Sequence, residues 1–311
     1  MVDKREKTIS YRRAHWFVPN MTLEKCIRAA NKTLKTVGNR SVFHGDQIVK
    51  IAKVKDVTSG GLLLHLTTER PGEAASVVPK ASPSSTEVDL TKQSPPPDGE
   101  WLDGDAFLFV KDDHVCLCTT EVRDRAIKLF FYRYFEKAKI WKESNRFDFM
   151  KVADISKVKL LHKLGVKELE IRASLYKATA DYEKRKSHVI GLAGFLGKQV
   201  RAFLGKPHDV TPDGLRVCLA IKTDRRSGRG ALALGEERIE TLATDVVKND
   251  GGDDYDYVIV TNSGQRITQE EIFMRTKVEI ESDGKTVRCD KTWKELTRFF
   301  ESLEEVGALE Q

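Results

Sequence analysis

Closely spaced carboxylates are the first groups here that could do chemistry. A nuclease holds its catalytic cation between clustered carboxylates, usually with a lysine close by. Asp253, Asp254 and Asp256 stand at the head of the strand-like run YDYVIVT, and Glu168 and Glu170 alternate onto one face of another strand. Neither set has a lysine where such a site needs one, although Arg172 follows Glu170 by two residues. These five are the candidate metal ligands of a secondary reading, a metal-dependent nuclease. The seven histidines are dispersed, and none has a companion motif for nucleophilic catalysis. Gly191, Gly194 and Gly197 recur inside an apolar helical run rather than between a strand and a helix start. They suit close helix packing, not a pyrophosphate cradle. No catalytic residue and no cofactor is expected.

Basic residues form the stronger pattern. The net charge of +6 over 311 residues hides four blocks, with +8 in 1–60, −7 in 61–121, +12 in 122–206 and −7 in 207–311. The most basic block carries Arg123, Arg125, Lys128 and Lys137 along one long helix, then Lys184, Arg185 and Lys186 leading into a helix with Lys198 and Arg201. Arg225, Arg226 and Arg229 follow in the loop DRRSGRG. Cations gathered on one face displace condensed counterions from a phosphate backbone, giving salt-sensitive and largely sequence-independent binding. These twelve residues are the candidate nucleic-acid contacts, with double-stranded DNA the expected ligand and RNA an open alternative. No groove-reading motif accompanies them.

The elements that must carry these residues are of both kinds. Residues 8–18 read as a strand. Asn20 or Thr22 can cap a helix whose Leu23, Ile27, Ala30, Leu34 and Val37 recur at helical spacing, and Gly38 stops it. A hairpin over 41–57 turns near Gly45-Asp46, a strand covers 62–67, and a second hairpin joins 106–110 to 115–119. From Glu121 a helix runs through FFYRYF, aromatic nearly all round, which requires burial on two sides or an interface. Beyond it the sequence predicts helices over 155–164, 187–204, 236–248 and 292–306. Strands are predicted over 168–175, 215–222 and 255–261, with a hairpin across Asp283-Gly284. Helices and strands alternate without βαβ regularity, which predicts an α+β fold. Two domains are expected, 1–145 and 146–311. Residues 71–100, rich in Pro, Ser and Thr, bury too little apolar surface to offset their ordering entropy and are expected to form a mobile loop inside the first domain.

No apolar stretch reaches membrane-spanning length and no secretory h-region follows the N-terminus, so no membrane insertion is expected. The five cysteines lack zinc-site spacing and are expected as buried free thiols in a reducing cytoplasm.

The runs DAFLFVKDDHVCLCTT, KELEIRASLYKA, GLAGFLGKQVRAFLGK, LRVCLAIK with its basic loop, and DYDYVIVTNSGQRIT occur in this order between about residues 105 and 270. In order and approximate spacing they resemble the A protein of the lambdoid Rex phage-exclusion system. The long loop 71–100 and the aromatic helix 129–135 depart from it. The resemblance implies a dimeric, two-domain, DNA-binding protein of phage exclusion without an established enzymatic activity, and the expected role is that of a non-enzymatic sensor. It also allows a second defence protein as partner. It supplies no residue-level contacts. A protein-interaction subunit, its basic blocks docking on the acidic blocks of another copy, is the remaining alternative.

Overall fold

The structure is a computed structural model and describes residues 3–16, 22–80, 86–140, 147–174, 216–223, 229–248 and 255–310. The chain begins with β1 (Lys4–Trp16), α1 (Leu23–Thr33), β2 (Ser41–His44), β3 (Gln47–Asp56) and β4 (Leu62–Glu69). Then come β5 (Ala75–Val77), β6 (Thr91–Gln93), β7 (Leu102–Lys111), β8 (His114–Thr120), α2 (Asp124–Lys137) and β9 (Phe147–Lys151). The next group is α3 (Ile155–Leu164), β10 (Val166–Ser174), β11 (Arg216–Lys222), α4 (Arg229–Lys248), β12 (Tyr255–Thr261), β13 (Arg266–Thr268) and α5 (Gln269–Ile272). The chain closes with β14 (Arg275–Asp283), β15 (Thr286–Val287) and α6 (Cys289–Glu305).

Two compact units result, Met1–Val152 with Arg275–Gln311, and Ala153–Met274. The division differs from the expected 145/146 boundary because the chain returns to its first sheet. Lys4 to Ser10 of β1 pair antiparallel with Glu281 to Arg275 of β14. A pairing between strands so far apart in sequence leaves no local mark, whereas a linear reading assigns everything after the long helix to one domain.

In the first unit the strand order is β15-β14-β1-β8-β7-β4-β3-β2, with β9 also pairing on β1. The central strands are covered on both faces. Along β7, Ala106, Leu108 and Val110 join a core with Leu23, Ile27 and Ala30 of α1 and Ile127, Phe130 and Phe131 of α2. The alternate residues Phe107 and Phe109 point the other way, and Phe109 packs on Phe300 of α6 at 4.7 Å. Two-sided burial explains why this strand is a continuous apolar run. The aromatic run of α2 is buried as its composition requires. Phe131 contacts Phe135 and Phe149, and Tyr132 and Phe135 contact Phe147 on β9. Thr22 is the N-cap of α1, accepting from Lys25 N at 3.3 Å. Gly61 must be glycine: its φ is +93°, and a Cβ there would meet Val110 O at 2.9 Å.

The Pro-rich segment contains one short ribbon, Ala75–Val77 paired with Thr91–Gln93. Apart from it, the segment carries no regular element among the described residues.

The second unit is the antiparallel sheet β11-β10-β12-β13. Leu169, Tyr257, Ile259 and Ile267 form its core with Leu161 of α3 and Ile239, Ala243 and Val247 of α4. Antiparallel sheets with helices packed on them make the fold α+β. No described helix is long and apolar enough to cross a membrane. Cys26, Cys116 and Cys118 are buried free thiols, Cys289 is half-buried, and Cys218, against expectation, is exposed.

Candidate nucleic-acid interface

The cations of α2 do not act as one face. Arg123, the N-cap, and Arg125 are exposed. Lys128 Nζ is 2.8 Å from Asp148 Oδ1 on β9 and lies over the Tyr132 ring. Lys137 Nζ donates to Ser41 O at 2.8 Å, and Arg133 donates to Phe43 O. Lys128 and Lys137 therefore hold the fold together, and of the four cations expected there Arg123 and Arg125 are the two with no side-chain partner among the described residues. Lys184, Arg185, Lys186, Lys198, Arg201, Arg225 and Arg226 lie outside the described residues, and Arg229 opens α4.

Two of the three described carboxylate candidates are already neutralised. Glu168 pairs with Lys222 at 2.9 Å, and Glu170 with Arg172 at 2.8 Å and Arg266 at 2.9 Å. Hydrogen bonds from Arg266 and then Arg172 hold the Glu170 carboxyl below its ordinary range. Asp256 is exposed on β12, in register with Arg172 on β10, and Asp253 and Asp254 lie outside the described residues. Among the described residues no group of three or more His, Cys, Asp or Glu could hold a metal ion.

A different cationic site emerges in the first unit. A cleft of about 780 Å³ opens between β3 and β4 on one side and α6 on the other, with Lys53, Lys55, Arg288, Trp293, Lys294 and Arg298 on its walls. One irregularity of β3 aims the first two. Val49 and Ile51 point into the core shared with α1 and α2. Strict alternation would send Lys53 and Lys55 after them. The register with β4 shifts between Ile51 and Lys53, leaving Ala52 as an extra residue. The bulge reverses the parity, so that Val54 packs on the core and both lysines turn to the cleft.

On the other wall, Lys294, Thr297, Arg298 and Glu301 follow helical spacing along one face of α6. Lys53, Lys55 and Lys294 are exposed and have no carboxylate partner among the described residues. Arg298 pairs with Glu295 at 2.7 Å, and Arg288 with Glu281 at 3.2 Å and Asp290 at 3.5 Å. Of the cleft's acids, Asp56 is held by Arg28 at 2.5 Å. The Cys289 thiol, also on the wall, is raised by burial, with the Lys53 charge pulling the other way.

Block counting missed this site for a physical reason. The last block is net acidic, yet several of its acids are spent on neighbours. Glu281 binds Arg288 and Lys291, Glu304 binds Lys111, and Glu279 binds Lys4. Lys294 is left over. The broken alternation at Ala52 was the available sequence signal for Lys53 and Lys55.

No protein-family model and no curated protein matches the chain. The reading of the cleft rests on its own chemistry.

Proposed function

We propose that this chain is a nucleic-acid-binding protein, with DNA as its ligand and the cleft between β3, β4 and α6 as a principal contact. The observation that carries the reading is the convergence of Lys53, Lys55 and Lys294 on one concavity without carboxylate partners among the described residues. An ammonium group already neutralised by a carboxylate gains little from a phosphate, whereas a free one releases counterions on contact. The resemblance in segment order to the phage-exclusion A protein supports a sensing role in defence against phage. On this reading occupancy of the cleft, not bond cleavage, is the signal. The paired state of Glu168 and Glu170 disfavours nuclease chemistry at those residues.

The test is a titration of labelled DNA across salt concentrations. Three lysine–phosphate contacts predict a slope of log affinity on log salt of about −2 to −3. Replacing Lys53, Lys55 and Lys294 together by glutamine flattens that slope. A wild-type affinity independent of salt sinks the reading.

A further inference from the structure

The dimensions of the cleft bear on which form of nucleic acid fits it. Its volume of about 780 Å³ falls in the range of small-molecule sites, roughly 300–1,000 Å³. Within that space one or two nucleotides of a strand fit. Lys53 and Lys55 stand two residues apart on the same side of β3, about 6.6 Å along the strand. They offer two cations in a row to a polyanionic chain, with Lys294 on the facing wall.

Trp293 also lines the cleft. Its ring N–H donates to Leu64 O at 3.2 Å, fixing the indole against β4. The side chain is only partly buried and faces the cleft. Among the described residues no aromatic ring stacks on it, and no cation lies over it. An oriented indole lining a groove with free lysines, with no ring or cation stacked on it among the described residues, is the arrangement on which single-stranded bases stack.

We propose that the cleft takes single-stranded nucleic acid, with one base stacked on Trp293 and the flanking phosphates on Lys53, Lys55 and Lys294. This rests on the nucleic-acid reading above and deepens it by naming the form of the ligand. Asp283 and Glu301 also line the cleft, and a carboxylate there accepts from the exocyclic amino group of adenine, guanine or cytosine, not from thymine.

The experiment compares four probes on the full chain by fluorescence anisotropy: a short oligodeoxythymidylate, the same sequence as a duplex, its ribo counterpart and a mononucleotide. The single strand is expected to bind at least tenfold more tightly than the duplex and the mononucleotide. Trp293→Leu weakens single-strand binding by about tenfold, while Trp293→Phe, which keeps a stacking face, retains most of it. If Trp293→Leu does not fold, tryptophan fluorescence decides instead. The single strand quenches wild-type emission, and the quenching shrinks in Trp293→Phe. Preference for the ribo strand sustains the stacking geometry and identifies the ligand as RNA. Duplex binding as tight as single-strand binding, with Trp293→Leu unaffected, overturns the single-strand proposal and leaves nucleic-acid binding standing. Mononucleotide binding as tight as the oligonucleotide also overturns it. Failure of every probe to bind removes the underlying reading with it.

Discussion

Lys137 Nζ donates a 2.8 Å hydrogen bond to the carbonyl oxygen of Ser41. Ser41 lies on β2, the strand that ends the nine-stranded sheet. One helical turn earlier, Arg133 donates to Phe43 O, two residues further along the same edge. Ser41 and Phe43 stand opposite Lys50 and Ile48 of β3; the two-residue turn makes His44–Gln47 and Val42–Val49 the hydrogen-bonded pairs, so the carbonyls of Ser41 and Phe43 face outward. An open row of carbonyls is a template for another strand. The two cations of α2 occupy it.

Replacing Arg133 and Lys137 together by alanine is expected to cost about 1 kcal/mol for each lost bond and to promote association through the bared edge. The urea midpoint falls and light scattering rises at equal concentration. The salt slope of nucleic-acid binding stays unchanged, because neither residue lines the cleft.

Elements with strong local signatures were legible in the sequence. The Thr22 cap, the Gly45 turn, the continuous apolar run of β7 and the amphipathic α6 each follow from neighbours within a few residues. What escaped depends on distant partners. Phe147 and Phe149 make β9 a strand only because β1 and the aromatic face of α2 stand beside it. The role of Lys137 is set by Ser41, on a strand far up the chain. Charge counting could not tell a lysine that closes an edge from one that waits for a phosphate. Asp112 and Asp113 read as ordinary turn charges, yet they clamp the start of α1. Asp113 Oδ1 accepts from Trp16 Nε1 at 2.6 Å and Leu23 N at 2.9 Å, and Glu24 N donates to Asp112 O at 2.9 Å.

The imidazole of His114 should make stability depend on pH. Burial, then Arg13, pushes its pKa below the ordinary 6.5 against the pull of Asp112 and Asp113. Burial also pushes the Tyr11 hydroxyl up to about 12, so it keeps its proton. It lies in a hydrogen bond with His114 Nδ1 at 2.6 Å. The folded state resists protonation while the unfolded chain takes up a proton through the ordinary range. Stability is therefore full above 6.5 and declines as pH falls through that value toward the depressed one. Urea midpoints measured from about pH 7.5 to about pH 5.5 should drop, and His114→Gln should flatten the decline.

Residues 154–272 should be removable without unfolding the first unit. Ala153 and Phe273 form an antiparallel bridge, and Asp154 N donates to Ile272 O at 2.7 Å, so the excised ends are neighbours. A short Gly-Ser turn closes such a gap at small entropic cost. A chain ending at Val152 is expected to fail, because β1 loses β14 and the sheet loses α6 from Phe109 and its neighbours. Cooperative thermal unfolding of the shortened chain, and its absence in the truncated one, is the expected pair of results.

Deleting Ala52 tests how register produces the binding site. Ala52 is the extra residue between Ile51, in register with Leu66, and Lys53, in register with His65, which are successive partners on β4. Without it, Lys53 follows Ile51 directly, and regular alternation keeps Val54 on the core and Lys53 and Lys55 on the cleft side. The deletion is therefore expected to fold and to keep salt-dependent binding. Exchanging Lys53 and Lys55 for glutamine, which leaves the bulge in place, should reduce binding while the midpoint moves little. If the deletion variant folded but lost its binding, the facing of these lysines along β3 would not be what builds the site.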